Sequence, residues 1–173
     1  MIEDVYKCIP EEQLTTELGE LITAGIYPPI VANEGDDMVD GTLKDADGKS
    51  QNLSQFQGKY IVLDFWSAGC GPCIAAIPEM KSLADKYDNA AIVSISIDNK
   101  AIWDSAIKAH KLEEGYQWNE LNAKNTLYHS YTQSGAVPFY VIISSDGKVA
   151  KKWAGYSDGI IERYLKEVMQ VKK

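Results

Sequence analysis

The chain is poor in cysteine, histidine and positive charge, and it contains no long apolar run. Three cysteines, Cys8, Cys70 and Cys73, are too few for a disulfide scaffold. Structural zinc usually takes four ligands. Cys8, His110 and His129 are not spaced as a second pair beside Cys70 and Cys73, so a zinc half-site is the weaker reading of that pair and no metal is expected. Lys and Arg number 17 against 25 Asp and Glu, a net charge of −8. That balance argues against nucleic acid or an anionic membrane as partner, because both need a basic surface. No run approaches the ~20 apolar residues of a membrane-spanning helix. The first residues, MIEDVYK, are acidic and lead into no apolar segment, so an exported protein of this kind would carry its signal outside these 173 residues. Repeats and low-complexity tracts are also missing. What remains, 45% hydrophobic and 24% charged, suits one main domain with extensions.

Against that background residues 60–78 stand out: YIVLDFWSAGCGPCIAAIP. Residues 60–66 are short, β-branched and aromatic, as in a buried strand. Ser67, Ala68 and Gly69 make a tight exit. Over 74–87 the apolar Ile77, Met80, Leu83, Ala84 and Tyr87 recur at helical spacing and predict a helix. Cys70 and Cys73 therefore sit where a buried strand hands over to a helix. Unpaired backbone N–H groups and the positive end of the helix dipole favour thiolate there, and such settings can lower a cysteine pKa to about 3.5–7.5. Cys70 leads the helix and is the expected nucleophile; Cys73, one turn in, is the expected resolving thiol. Pro72 fits a first helical turn, where its missing N–H is not needed. Asp64 is an acid inside an apolar strand, a costly position unless it is protonated or paired; the alternative is a strand-end or loop contact.

The rest of the chain reads in order as follows. A helix is expected over 11–24, ended by Gly25 and followed by the Tyr27-Pro28-Pro29 turn. A hairpin turns at Asp45-Ala46-Asp47-Gly48, and a short loop or helix at Leu53, Ser54 and Phe56 feeds the 60–66 strand. Residues 91–97 form the next strand. Asp98 and Asn99 cap a helix over 101–110 with Ile102, Trp103, Ala106 and Ile107 on its apolar face. Residues 111–122 are an insert with a short strand at 116–118. A helix follows at about 125–131, then a hairpin of 139–144 with 149–153 about Asp146-Gly147. Ser157 or Asp158 caps a last helix over 160–171, whose Ile161, Tyr164, Leu165, Val168 and Met169 face the core.

These blocks carry a resemblance. Asp64-Phe65-Trp66, Cys70-Gly71-Pro72-Cys73 and Pro78 resemble the active-site block of thioredoxins. Gly135-Ala136-Val137-Pro138-Phe139, leading into 140–143, resembles the cis-proline loop and the strand after it. The longer spacing between the blocks, with Ser144-Ser145-Asp146-Gly147-Lys148-Val149 behind, resembles the TlpA/ResA-type branch of envelope thiol–disulfide oxidoreductases. The resemblance implies an α/β, thioredoxin-like fold on residues 35–173: a central mixed sheet flanked by helices, with an N-terminal β-hairpin and a central insert. Residues 1–34 read as a helical extension or the tail of a preceding domain.

The same resemblance implies an enzyme that reduces disulfides of protein clients. Cys70 attacks, Cys73 resolves, and Asp64 is the general base for Cys73. Trp66 shields the site. Trp66, Gly71, Pro72, Val137 and Pro138 form the client-facing surface, with a cis Pro138 presenting the Val137 backbone. No cofactor beyond the Cys70–Cys73 disulfide is expected. The partners are disulfide-containing clients and an electron-donor thiol protein, and the chain is taken as a monomer facing the periplasm or cell envelope, with the cytoplasm as alternative. Trp103, His129 and Tyr131 are packing residues and Cys8 a bystander. Three positions depart from the pattern: Gly69 stands where thioredoxins commonly carry Trp, Ala76 where TlpA/ResA-type proteins often carry an acid, and Ser94 where thioredoxins place a lysine near the buried aspartate. Glu79 lies on another part of the helix and is no substitute for that acid. A peroxiredoxin-like thiol peroxidase is the competing enzyme, disfavoured because Ser67-Ala68-Gly69 lacks the upstream Thr and Pro. A non-catalytic interaction module is the competing non-enzyme, and the intact CGPC speaks against it.

Overall fold

The strand expected at 60–66 lies inside a seven-stranded mixed sheet. The computed structural model describes residues 8–14, 16, 19, 22, 31–120 and 126–170. The chain divides into two compact units, Met1–Val31 and Ala32–Lys173. In the first, a short helix α1 spans Glu11–Leu14; half of the helix expected over 11–24, and the Tyr27-Pro28-Pro29 turn, lie outside the described residues.

The second unit holds β1 (Leu43–Asp45), β2 (Ser50–Gln51), β3 (Tyr60–Trp66), α2 (Gly71–Lys86), β4 (Ala90–Ser96) and α3 (Lys100–Ala109). It continues with β5 (Tyr116–Asn119), α4 (Thr126–His129), β6 (Phe139–Ile143), β7 (Val149–Ala154) and α5 (Ile160–Gln170). The strand order is β2-β1-β5-β4-β3-β6-β7. β3 pairs in parallel with β4 and antiparallel with β6. All seven β3 residues are buried, which is why the strand reads as a continuous run rather than an alternation. Ile61, Leu63 and Phe65 enter one core cluster with Val93, Trp118 and Val141. Tyr60 and Val62 face the opposite way, into a cluster with Met80, Leu83, Ile161 and Leu165. This second face is the one that carries Asp64.

The 111–122 insert is more central than its sequence suggests. Its strand β5 pairs in parallel with β4 and antiparallel with β1, so it joins the β1–β2 hairpin to the sheet. Residues 121–125 lie outside the described residues.

Four local expectations need correction. Ala84 is exposed although its spacing matches the buried Met80 and Leu83, because only part of α2 is covered. Ile102 is 47% exposed, and Trp103, Ala106 and Ile107 alone carry the buried face of α3. The cap of α3 is Asn99, whose side chain accepts the Ile102 N–H at 3.1 Å. Neither Ser157 nor Asp158 caps α5 with its side chain. Glu79, on α2, accepts the Gly159 and Glu162 N–H groups at 3.0 and 2.9 Å. A carboxylate at a helix start satisfies open donors and meets the positive end of the dipole, whichever element supplies it.

Candidate active site

β3 ends at Trp66, and the chain turns through Ser67–Gly69 into α2. The turn is held from two sides. The Ala68 N–H donates to Asp98 Oδ2 at 2.7 Å, and the Cys70 N–H donates to the Ser67 carbonyl at 3.1 Å. Cys70 then takes the N-cap position of α2 in extended conformation (φ −92°, ψ 102°), with Pro72 in the first turn. Its sulfur accepts the Cys73 N–H at 3.2 Å. Cys70 and Cys73 are joined as a disulfide, S–S 2.05 Å, across one helical turn. Their surroundings differ: Cys70 is half-buried, whereas Cys73 is 2% exposed. Gly71 and Pro72 are exposed beside them.

Asp64 lies mid-strand, paired with Ser94 on β4 and Tyr140 on β6. It is 5% exposed. Ser94 Oγ donates to Asp64 Oδ2 at 3.3 Å, and Oδ1 is buried without a hydrogen-bond partner among the described residues. Burial pushes the carboxyl up to about 7, with the Ser94 hydrogen bond acting the other way. Ser94, read from the sequence as a departure from the thioredoxin pattern, thus sets a hydroxyl in direct contact with the acid. Across β3, burial and then the nearby Asp64 charge hold the Tyr140 phenol above its ordinary range.

A cleft of about 50 Å³ lies on the Cys73 side of the disulfide, lined by Asp64, Trp66, Cys73, Lys81, Ser94 and Gln117 among others. The acid and the inner cysteine thus share one space. Trp66, 2% exposed, forms part of its wall and packs with Cys73, Trp103 and Leu112.

The second block comes to the same corner. The Val137–Pro138 peptide is cis, and Gly135 takes positive φ (67°) ahead of it. The Tyr128 hydroxyl donates to the Ala136 carbonyl at 2.9 Å and anchors the loop. Val137 is half-buried in the cluster that contains Cys70, Ala68, Ile74 and Ile77. Trp103 and Tyr131 are fully buried, and His129 is exposed. Cys8 is exposed and takes no part in the disulfide. Among the described residues no group of three or more His, Cys, Asp or Glu could hold a metal ion. Sequence reading took Asp98 only as a helix cap and gave Tyr128 and Gln117 no part in the site. A polar residue between the aromatics Tyr116 and Trp118 was the available signal for Gln117.

Residues 35–152 match the AhpC/TSA family. The chain belongs to that family. It is 28% identical over 137 residues to the thiol-disulfide oxidoreductase ResA of Bacillus subtilis, covering 77% of this chain and 74% of that protein. The solved thioredoxin domain of a thiol-disulfide oxidoreductase from Bacteroides vulgatus superposes with a TM-score of 0.67 at 25% identity, covering 79% of this chain and 98% of that one. A thiol-disulfide oxidoreductase from Bacteroides fragilis, 24% identical with a TM-score of 0.65 over 77% of this chain and 99% of that one, shares the fold. The fold is thioredoxin-like, and thiol–disulfide oxidoreductase is the activity on which these relatives and the Cys70–Cys73 pair agree.

Proposed function

We propose that the chain reduces disulfides of protein clients through the Cys70–Cys73 dithiol. One observation carries the reading: a disulfide at the start of α2 with one sulfur half-buried at the surface and the other closed off beside a buried acid. In the reduced enzyme the Cys70 thiolate attacks a client disulfide, forming one S–S bond and releasing the first client sulfur with its electron pair. The Cys73 proton passes to Asp64. The Cys73 sulfur then bonds the Cys70 sulfur, the Cys70–client bond breaks, and the second client sulfur leaves with its electron pair. The enzyme ends oxidised and the client reduced, so a donor thiol protein must supply two electrons for the next cycle.

Burial supports Asp64 as the base, since a carboxyl titrating near neutrality can exchange a proton with a thiol. Client docking falls to Trp66, Gly71, Pro72, Val137 and Pro138, which gather around the disulfide corner; exposed Gly71 and Pro72 with half-buried Val137 offer its accessible rim. No metal or organic cofactor enters this chemistry. Residues 35–173 are read as the reductase domain and 1–34 as an extension, with the chain acting as a monomer on the envelope side of the cell. Among the described residues no helix is long and apolar enough to cross a membrane.

Insulin-disulfide reduction against peroxide consumption tests the reading. Turnover of insulin with dithiothreitol, lost in Cys70→Ser, is the expected result. Peroxide consumption without insulin reduction would make the protein a peroxidase; neither activity would leave an interaction module.

A further inference from the structure

Asp64 pairs with Ser94 on β4, and Ser94 pairs with Gln117 on β5. Paired residues of neighbouring strands share a face of the sheet, and all three line the cleft beside Cys73. An acid, a hydroxyl and an amide thus lie in line across three adjacent strands. The row is not satisfied within itself. Ser94 Oγ donates to Asp64 Oδ2, but Asp64 Oδ1 and Gln117 Oε1 are both buried without a hydrogen-bond partner among the described residues. Buried acceptors in a polar, roomy cavity are where ordered water binds, and the cleft, at about 50 Å³, has room for a few waters.

We infer that Ser94 and Gln117 are positioning residues of the resolving step: with water held between them, they lead the proton from Asp64 across the sheet to the cleft mouth at Gly115 and Tyr116. The inference rests on the reading of Asp64 as the base for Cys73. Asp64 can take the Cys73 proton only when its own carboxyl is empty, and its burial closes direct exchange with solvent, so the row must drain the acid before the resolving step. Ser94, donating to Oδ2, holds the carboxyl with Oδ1 towards the cleft. Protonated Oδ1 donates to a water, and Gln117 Oε1 accepts from that water and fixes its orientation, so the next transfer runs outward.

Other ionisable groups near the row do not replace it. From α2 come Cys73, Glu79 and Lys81; from β6, Tyr140; from the segment before β5, Glu114; and after β7, Tyr156. Lys81 Nζ is held by the Lys111 carbonyl at 2.8 Å. Glu79 is committed to the start of α5. Burial holds both tyrosines above their ordinary range. Glu114 is exposed at the outer wall, where the path ends.

The test compares Gln117→Leu, Ser94→Ala and Asp64→Asn in the full chain. Reduced protein is mixed with a small-molecule disulfide, and attack and release are resolved by stopped flow from about pH 5 to 9. Attack should be unchanged in all three. Release in Gln117→Leu and Ser94→Ala should slow about tenfold, less than the ~10²–10⁴-fold that a general base can supply. Added formate or imidazole should restore the rate by carrying the proton through the cleft, and Ser94→Thr, which keeps the hydroxyl, should release normally. Gln117→Met, of similar length without the amide, gives a second version of the change. Release at the wild-type rate and pH profile in both Gln117→Leu and Ser94→Ala overturns the relay. So does an equal loss of attack and release that buffer does not rescue, which marks a packing role. If Asp64→Asn also releases at the wild-type rate, the base reading itself fails and takes the relay with it. If Asp64→Asn alone is slow, only the relay is lost.

Discussion

The Cys73 backbone N–H donates to the sulfur of Cys70 at 3.2 Å, so the outer cysteine is held by the amide of its own partner. In the reduced protein the same donor, with the start of the helix behind it, favours charge on Cys70. Cys73 has no comparable access to solvent.

The reduced protein should therefore be alkylated at Cys70 about tenfold or more in preference to Cys73. Iodoacetamide labelling at neutral pH, read by peptide mass spectrometry, measures the ratio. Cys73→Ser should accumulate mixed disulfides with client proteins through Cys70, and Cys70→Ser should trap none. Preferential labelling of Cys73 reverses the roles.

Asp64 makes stability depend on pH in a definite direction. Its carboxyl titrates at about 7 in the fold against an ordinary 3.8, so the folded chain keeps this proton longer than the unfolded chain. The acid costs nothing below its ordinary value; the cost grows as pH rises between the two values and is constant above. Asp64→Asn removes the titrating group and should gain up to about 4 kcal/mol on wild type between about pH 4 and pH 8. Urea unfolding across that range reads the difference. A variant that loses ground as pH rises would make Asp64 a structural carboxylate.

Glu79 closes the start of α5 from a different helix. Glu79→Ala should lower stability by about 1 kcal/mol, the usual worth of an N-cap, and Glu79→Gln by less, since its amide oxygen still accepts. Thermal or urea unfolding decides. An unchanged midpoint in Glu79→Ala would mean that solvent caps the helix equally well.

Glu162 carries the opposite sign to Asp64. Lys86, Lys166 and the Tyr87 hydroxyl hold its carboxyl down at about 2 against an ordinary 4.5. A depressed value contributes stability above the unfolded pKa and loses it as pH falls towards the folded one. Because the pairs are solvent-screened, Glu162→Gln should cost no more than about 1 kcal/mol near neutrality. That difference should shrink from about pH 4.5 downward. A difference that persists unchanged at about pH 2 would place the effect in packing.

Much of the site was readable in the chain because its causes are local. A β-branched run, a tight exit, an early helical proline and two cysteines one turn apart follow from backbone geometry and near-neighbour spacing, and they bring strand, disulfide and helix together wherever the rest of the protein goes. The X–Pro step at Val137–Pro138 and the Asp146-Gly147 turn are local in the same sense. Tertiary structure alone decided the neighbours. Strand register sets Ser94 beside Asp64 and Gln117 beside Ser94, and register is set by which faces of distant strands bury together. Glu79 caps a helix some eighty residues away because α2 and α5 pack on the same face of the sheet. Ala84 and Ile102 follow the apolar spacing and still face solvent, because periodicity names the face of a helix but not how much of it a neighbour covers. Pattern along a chain comes from covalent geometry; contact across it comes from packing between segments the sequence keeps apart.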